Sequence, residues 1–265
     1  MRVLAYSAGV QSTTALVLSV LGKNGVPPIQ CAIFADTGDE PAWVYETLRF
    51  YSAWAAERGV PVLTVSRGRI SDDMKKTKEE GRRWASIPAF TAGPKGAAPL
   101  RRQCTREYKI DVIEKLIRKQ LGLRKYQKCR TTVELILGIS LDESQRARPN
   151  RKPWLRNIFP LIDAGLTRRD CIQALIALGL PFPKKSACVF CPYHSDRFWR
   201  DLKVNYPQEW KRVVEADQLV RNMTKAGVER PAFLHRSLKP INEIDFEAQQ
   251  ELFPILDCDE GYCGL

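Results

Sequence analysis

The sequence predicts an α/β fold: a doubly wound, mostly parallel sheet, followed by a helical, cysteine-rich C-terminal region. Three observations predict it. Short apolar runs at 3–6, 29–35 and 60–65 have strand length and alternate with helix-like stretches, the pattern of a parallel sheet with helices on both faces. The stretch 41–58 between the second and third runs is amphipathic, with Pro41 at its start and Gly59 at its end. The second half reads differently. A helical stretch at 167–178 (Thr167 as cap, Gly179 as stop) precedes the first of two close cysteine pairs, and helical stretches at 196–205 and 207–227 lie between the pairs.

The 265 residues allow one large or two modest domains, divided as 1–160 and 161–265. A net charge of +12 points to a polyanionic partner or an anionic substrate. No apolar run approaches the ~20 residues of a membrane span, and the N-terminus enters a strand at once without a cleavage pattern. A cytoplasmic protein without a membrane partner is therefore expected. In a reducing compartment its eight cysteines would serve metal or redox chemistry rather than structural disulfides.

The first apolar run is followed by Ser7-Ala8-Gly9-Val10-Gln11-Ser12-Thr13 and then an apolar helix. A strand, a turn of small residues and a helix make a phosphate-binding layout. Gly9 lets the backbone approach an oxyanion, Ser7, Ser12 and Thr13 offer hydroxyls, and the helix start offers N–H groups. It is not a Walker A loop, since no Gly-Lys-Ser/Thr follows. Asp36-Thr37-Gly38 ends the second strand, where ligands of such sheets bind. Asp39 and Glu40 read as acidic caps of the next helix. Residues 66–103 read as a long basic loop. Its aromatic residues Trp84 and Phe90, and its basic residues Lys95, Arg101 and Arg102, suit base stacking and phosphate contact. A strand at 133–140 leads into Asp142-Glu143-Ser144-Gln145-Arg146, where Arg146 suits a phosphate or sulfate.

Among the cysteines, Cys104 opens a helix running to about 120 among Arg and Lys, a setting that favours a thiolate. Cys188-Val189-Phe190-Cys191 has metal-ligand spacing, and Cys258 and Cys263 form a second close pair. Zinc and a 4Fe–4S cluster are both compatible with these pairs. Cys31, Cys129 and Cys171 lie in or near regular elements and read as packing residues. His194 adjoins the first pair as a ligand or supporting residue. Trp199, Leu202, Trp210 and Val213 read as core.

The string Ser7-Ala8-Gly9-Val10-Gln11-Ser12 resembles the Ser-Gly-Gly-x-x-Ser pyrophosphate loop of the PP-loop ATPase (adenine nucleotide alpha-hydrolase-like) superfamily, with Ala8 for the first Gly and Gln11 where many ATPases carry Asp. Asp36-Thr37-Gly38 with Glu46-Thr47, and Gly138-Ile139 with Asp142-Glu143 and Arg146, are similar to its phosphoadenylyl-sulfate (PAPS) reductase branch. The resemblance covers the first ~150 residues. It implies a HUP/PP-loop, Rossmann-like sheet that binds an adenine nucleotide at Ser7, Gly9, Gln11, Ser12, Thr13, Asp36, Thr37, Gly38, Gly138 and Arg146. Cys104-Thr105-Arg106 looks like the Cys-Cys-x-x-Arg-Lys element of iron–sulfur adenylyl-sulfate reductases, with Thr105 for the second Cys. That likeness implies a 4Fe–4S cluster on four of Cys104, Cys188, Cys191, Cys258 and Cys263, with Zn²⁺ as the alternative. The Cys263-Gly264-Leu265 ending resembles the catalytic tail of those reductases, which makes Cys263 a redox thiol candidate beside Cys104. The implied function is adenylation by ATP (with Mg²⁺) of tRNA or DNA for sulfur transfer, served by a sulfur-donor or electron-donor protein. The alternatives are thiol-dependent reduction of phosphoadenylyl or adenylyl sulfate and, from another class, a non-catalytic, zinc-stapled nucleic-acid-binding module.

Overall fold

The computed structural model describes residues 1–80, 87–223 and 230–246. Its first unit comprises Met1–Asp36, Ala42–Ser66 and Ile110–Ser186, and its second comprises Thr37–Pro41, Arg67–Lys109 and the chain from Ala187 on. The division expected at residue 160 differs from this partition. The chain leaves the first unit directly after two of its strands and re-enters it each time, so both units are discontinuous in sequence.

In the first unit, β1 (Arg2–Tyr6) is the centre of a five-stranded sheet with β2 (Cys31–Asp36), β3 (Val62–Ser66), β6 (Val133–Leu137) and β7 (Leu155–Ile158) in the order β3-β2-β1-β6-β7. All four pairings are parallel. The expected fold class is thus observed, and the strand order reverses direction between β1 and β6. Crevices outside the carboxyl ends of strands at such a switch point are where open α/β sheets bind ligands.

Both faces of this sheet are covered. Val3, Cys31, Ile33, Ala35, Val133 and Leu135 pack with Ile113 and Ile117 of α4 (Asp111–Gln120). Alternation turns Tyr6 and Phe34 to the other face. Their rings meet edge to face at 6.4 Å, and the Tyr6 hydroxyl lies 3.3 Å from Thr13 Oγ1 of α1 (Val10–Leu21). Helix α1 is buried from Val10 to Ser19, with α6 (Arg168–Ala177) packed on it; its second half is apolar, and its first turns bury the polar side chains of Gln11, Ser12, Thr13 and Thr14. Thr167 caps α6 as expected, in a reciprocal capping box with Asp170.

In the second unit, 66–103 is not the long loop expected. It contains α3 (Ile70–Glu80) and a hairpin of β4 (Phe90–Gly93) and β5 (Gly96–Pro99), which β8 (Ala232–Phe233) extends on the β4 side. Helix α3 hides in the sequence because only Ile70, Met74 and Thr77 mark its buried face amid charged residues. Trp84 lies outside the described residues. Helices α7 (Asp196–Asn205) and α8 (Pro207–Arg221) supply most of the core that the sequence indicated: Trp199, Leu202 and Val213 are fully buried, whereas Trp210 is only half-buried. Asp217 is buried with them and accepts the backbone N–H groups of Leu234 (3.1 Å) and Ile241 (3.2 Å). No helix among the described residues is long and apolar enough to cross a membrane.

Candidate functional site

The turn after β1 builds itself from its own hydroxyls. Ser7 N–H donates to Ser12 Oγ at 3.2 Å, the two seryl oxygens lie 3.0 Å apart, and Ser12 Oγ donates to the Gly9 carbonyl at 3.2 Å. Gly9 precedes α1 in extended backbone, and no side chain caps the helix. The helix start thus brings first-turn N–H groups and the positive end of the helix dipole to this turn. Ala8 is fully buried at φ 56°, a left-handed conformation that strains any residue with a Cβ. This is the position where the resembled loop carries glycine. Ala8→Gly is expected to raise stability by ~0.5–1 kcal/mol, the strain relief less the entropy glycine adds to the unfolded chain, as read from urea unfolding; a loss of stability would remove the strain argument.

Gly138 follows β6 and meets α1. A Cβ there would lie 2.7 Å from both Ser12 Cα and Ser12 N, so Gly138 permits a close approach of the helix backbone. Gln11 is not a substitute acid. Its amide donates to Ser140 Oγ at 3.4 Å and Glu143 Oε2 at 3.3 Å, and its carbonyl accepts from Arg168 at 2.9 Å. Arg146 pairs with the other Glu143 oxygen at 2.6 Å. Burial raises the Glu143 carboxyl above its ordinary value, against the pull of Arg146 and Arg168. Two guanidinium groups thus stand beside the helix start. Ser186 also belongs here: its hydroxyl donates to the Ser7 carbonyl, and its Cβ would be 3.2 Å from one on Gly9. Asp36 accepts from the Tyr45 hydroxyl at 2.9 Å.

Thr37, Gly38, Asp39 and Glu40 belong to the second unit. Gly38 sits at φ 73° with Arg69 Cγ 2.3 Å from where a Cβ would stand, so glycine is required twice over. Asp39 caps α3, accepting the N–H and hydroxyl of Ser71 at 2.8 Å each, and pairs with Arg212 at 3.2 Å. Glu40, 1% exposed, accepts from Lys109 Nζ at 2.9 Å and from the Thr37 hydroxyl at 3.4 Å.

The cysteine turn meets this cluster. Cys188 Sγ lies 3.2 Å from Thr37 Oγ1, and Val189 N–H donates to the Asp39 carbonyl at 2.8 Å. Cys191 N–H donates to the Cys188 carbonyl at 2.9 Å, closing the turn. His194 Nε2 donates to the same carbonyl at 2.9 Å while its ring stacks on Phe198 at 3.6 Å, so His194 braces the turn. Burial pushes the Cys188 thiol well above its ordinary range; Glu40 adds to the rise and Lys109 opposes it. Burial alone would lower the Lys109 ammonium, but Glu40, Cys188 and Cys104 together raise it. Cys104 and Cys188, 84 residues apart in sequence, thus both act on the charge of Lys109.

Among the described residues, no group of three or more His, Cys, Asp or Glu side chains is arranged to hold a metal ion. Cys258 and Cys263 lie outside the described residues. The described thiols alone do not fit a 4Fe–4S cluster or a zinc site. Cys31 and Cys171 are buried in packing positions, as expected, and Cys129 is half-buried. Lys95 is exposed at the β4–β5 turn, and Arg101 and Arg102 are exposed beyond β5, with the Arg102 guanidinium 5.5 Å from the Tyr193 ring centre.

Sequence reading missed Ser140, Arg168, Ser186 and Lys109. The first three reach the loop from more than 120 positions away, and nothing local marks them. Lys109 carried a signal, as the one lysine a turn beyond Cys104.

No protein-family profile matches the chain, and no curated protein matches it. Among solved structures it is similar to a phosphoadenylyl-sulfate (PAPS) reductase from Candida auris in a phosphate complex, at 14% identity and a TM-score of 0.41, over 68% of this chain and 74% of that one. The fold assignment rests on the strand order and pairings above.

Proposed function

We propose that the chain is an adenine-nucleotide enzyme that activates a nucleic-acid oxygen for sulfur transfer. ATP, with Mg²⁺, binds at the loop of Ser7, Gly9, Ser12 and Thr13. The substrate oxygen bonds to its α-phosphorus and pyrophosphate departs. A sulfur nucleophile from a donor protein then displaces AMP. The observation that carries this reading is the uncapped start of α1 at the switch point, with two seryl hydroxyls in the turn and Arg146 and Arg168 beside it. Such a start is built for an anion. Cys104, Cys188 and Cys191 are the candidate thiols, and Cys263 joins them from outside the described residues. A cluster or zinc ion would need Cys258 or Cys263 among its ligands, and no step is routed through one.

The nucleotide site has a direct test. Ser12→Ala is expected to weaken ATP binding by about tenfold in calorimetry, the order of one or two hydrogen bonds to a charged group, with the circular dichroism spectrum unchanged. Unchanged affinity would reject the site. Nucleosides from cells with and without the gene, compared by mass spectrometry, test the substrate.

Gln11 favours a second reading, reduction of phosphoadenylyl or adenylyl sulfate. Its amide is spent on Ser140, Glu143 and Arg168, so it brings no carboxylate for Mg²⁺ to the loop. Sulfite release from phosphoadenylyl sulfate with a dithiol reductant, in the absence of ATP, would install that reading instead.

A further inference from the structure

The first unit carries an open groove of about 1060 Å³ between α4 and the segment after it, bordered by Lys152 and Trp154. From 115 to 130 the chain holds Lys115, Arg118, Lys119, Arg124, Lys125, Lys128 and Arg130 and not one Asp or Glu. Two acids line the groove: Glu114, buried and paired with Lys152, and Asp111, exposed at the start of α4. Arg118 is turned inward: its guanidinium donates to the carbonyls of Arg124 at 2.9 Å and Gln127 at 2.7 Å. Those two bonds staple the turn 124–127, whose ends also join through Gln127 N–H to the Arg124 carbonyl at 3.1 Å.

At the corner of that turn stands Tyr126, 91% exposed and held at φ 76°. A bulky aromatic residue in the left-handed region is a strained placement where Gly or Asn would rest. The fold thus holds an aromatic ring in water, on a braced turn, at the rim of a cationic groove. The braced backbone loses little freedom on taking a partner, and the Lys125 ammonium, 5.0 Å from the ring centre, adds a cation beside the stacking face. Every nucleobase has a face to stack on it, and phosphates match the surrounding cations. A duplex hides its base faces, so the matching ligand is unpaired.

We propose that this groove is a docking site for a single-stranded segment of nucleic acid, with one base stacked on Tyr126 and the backbone along Arg124, Lys125 and the exposed face of α4. It rests on the nucleic-acid reading above and places contacts far along the chain from Lys95, Arg101 and Arg102.

The test uses the full chain with fluorescently labelled single-stranded DNA, the RNA of the same sequence, and the duplex, followed by anisotropy over a range of NaCl. Single strands are expected to bind more tightly than duplex. Tyr126→Gly, which also relieves the backbone, is expected to lower single-strand affinity by about tenfold, within the usual worth of one stacked base, and to leave duplex affinity unchanged. Tyr126→Trp should keep single-strand binding. Arg124→Glu with Lys125→Glu should weaken binding and flatten the slope of log affinity on log salt by ~1.4, two phosphates' share. Preference for RNA or for DNA names the source, and either supports the site. Unchanged single-strand affinity in both variants overturns it. If reversal at Lys95, Arg101 and Arg102 then abolishes binding, the groove fails while the nucleic-acid substrate stands. If no oligonucleotide binds at low salt, both fail, and ATP calorimetry on the same samples still reads the loop separately.

Discussion

Replacing Lys109 by methionine is expected to cost about 3–5 kcal/mol of stability, the usual penalty for stripping the partner from a buried charge. Glu40 is 1% exposed, and Lys109 is the only cation on its carboxylate among the described residues. Its second oxygen, Oε2, has no hydrogen-bond partner among those residues. Without the ammonium, a buried carboxylate would keep only the Thr37 hydroxyl at 3.4 Å. Urea unfolding of Lys109→Met, Glu40→Gln and the double variant separates the pair from its parts. The double variant should recover most of the loss, because neither charge is then left alone. A Lys109→Met protein as stable as the parent would show that the pair does not hold the Thr37–Pro41 segment. The same segment carries Thr37 against Cys188, so thiol chemistry should fall with it.

Gly138→Ala is expected to lose about 3 kcal/mol and to abolish ATP binding together. A methyl group added there would meet Ser12 Cα and N at 2.7 Å and Gln11 C at 3.0 Å. Those are helix backbone atoms that cannot rotate away, so the carboxyl end of β6 and the start of α1 must part. Overpacking of this kind costs 1–3 kcal/mol and sometimes more. The two readouts are an unfolding curve and calorimetry. Normal stability with lost binding would return Gly138 to the nucleotide, as the sequence suggested. Normal values of both would mean that the β6 end and α1 sit further apart.

The strand–turn–helix at Ser7–Thr13 was legible because it is local: apolar runs, small residues and a helix start lie within one stretch. The strands β1, β2, β3 and β6 and their parallel sheet followed from alternation and apolar runs, but β7 did not. Leu155-Arg156-Asn157-Ile158 is short, polar in the middle and close to Pro153 and Pro160, and only its pairing with β6 makes it a strand. The protein contacts of Gln11 and Gly138 were not legible in the sequence, for one reason. Their partners, Ser140, Glu143 and Arg168 for the first and Ser12 for the second, are set by the closure of the sheet rather than by spacing. Asp39 looked like a cap and is one, for a helix 30 residues further on that the sparse pattern of Ile70, Met74 and Thr77 concealed. Tyr126 carried no sequence signal, since a positive φ on an aromatic residue is written only in the backbone.

The discontinuity of the two units bears on how this protein can be inherited. The chain passes from one unit to the other at 36/37, 41/42, 66/67, 109/110 and 186/187. No single continuous stretch of coding sequence holds the first unit without also holding Thr37, Glu40, Cys104 and Lys109 of the second. Recombination at one breakpoint can carry the Ser7–Thr13 loop away within Met1–Asp36, but it cannot move the complete first unit into another gene as a clean cassette. Whatever lineage acquires the whole of that unit as one stretch acquires Thr37–Pro41 and Arg67–Lys109 with it.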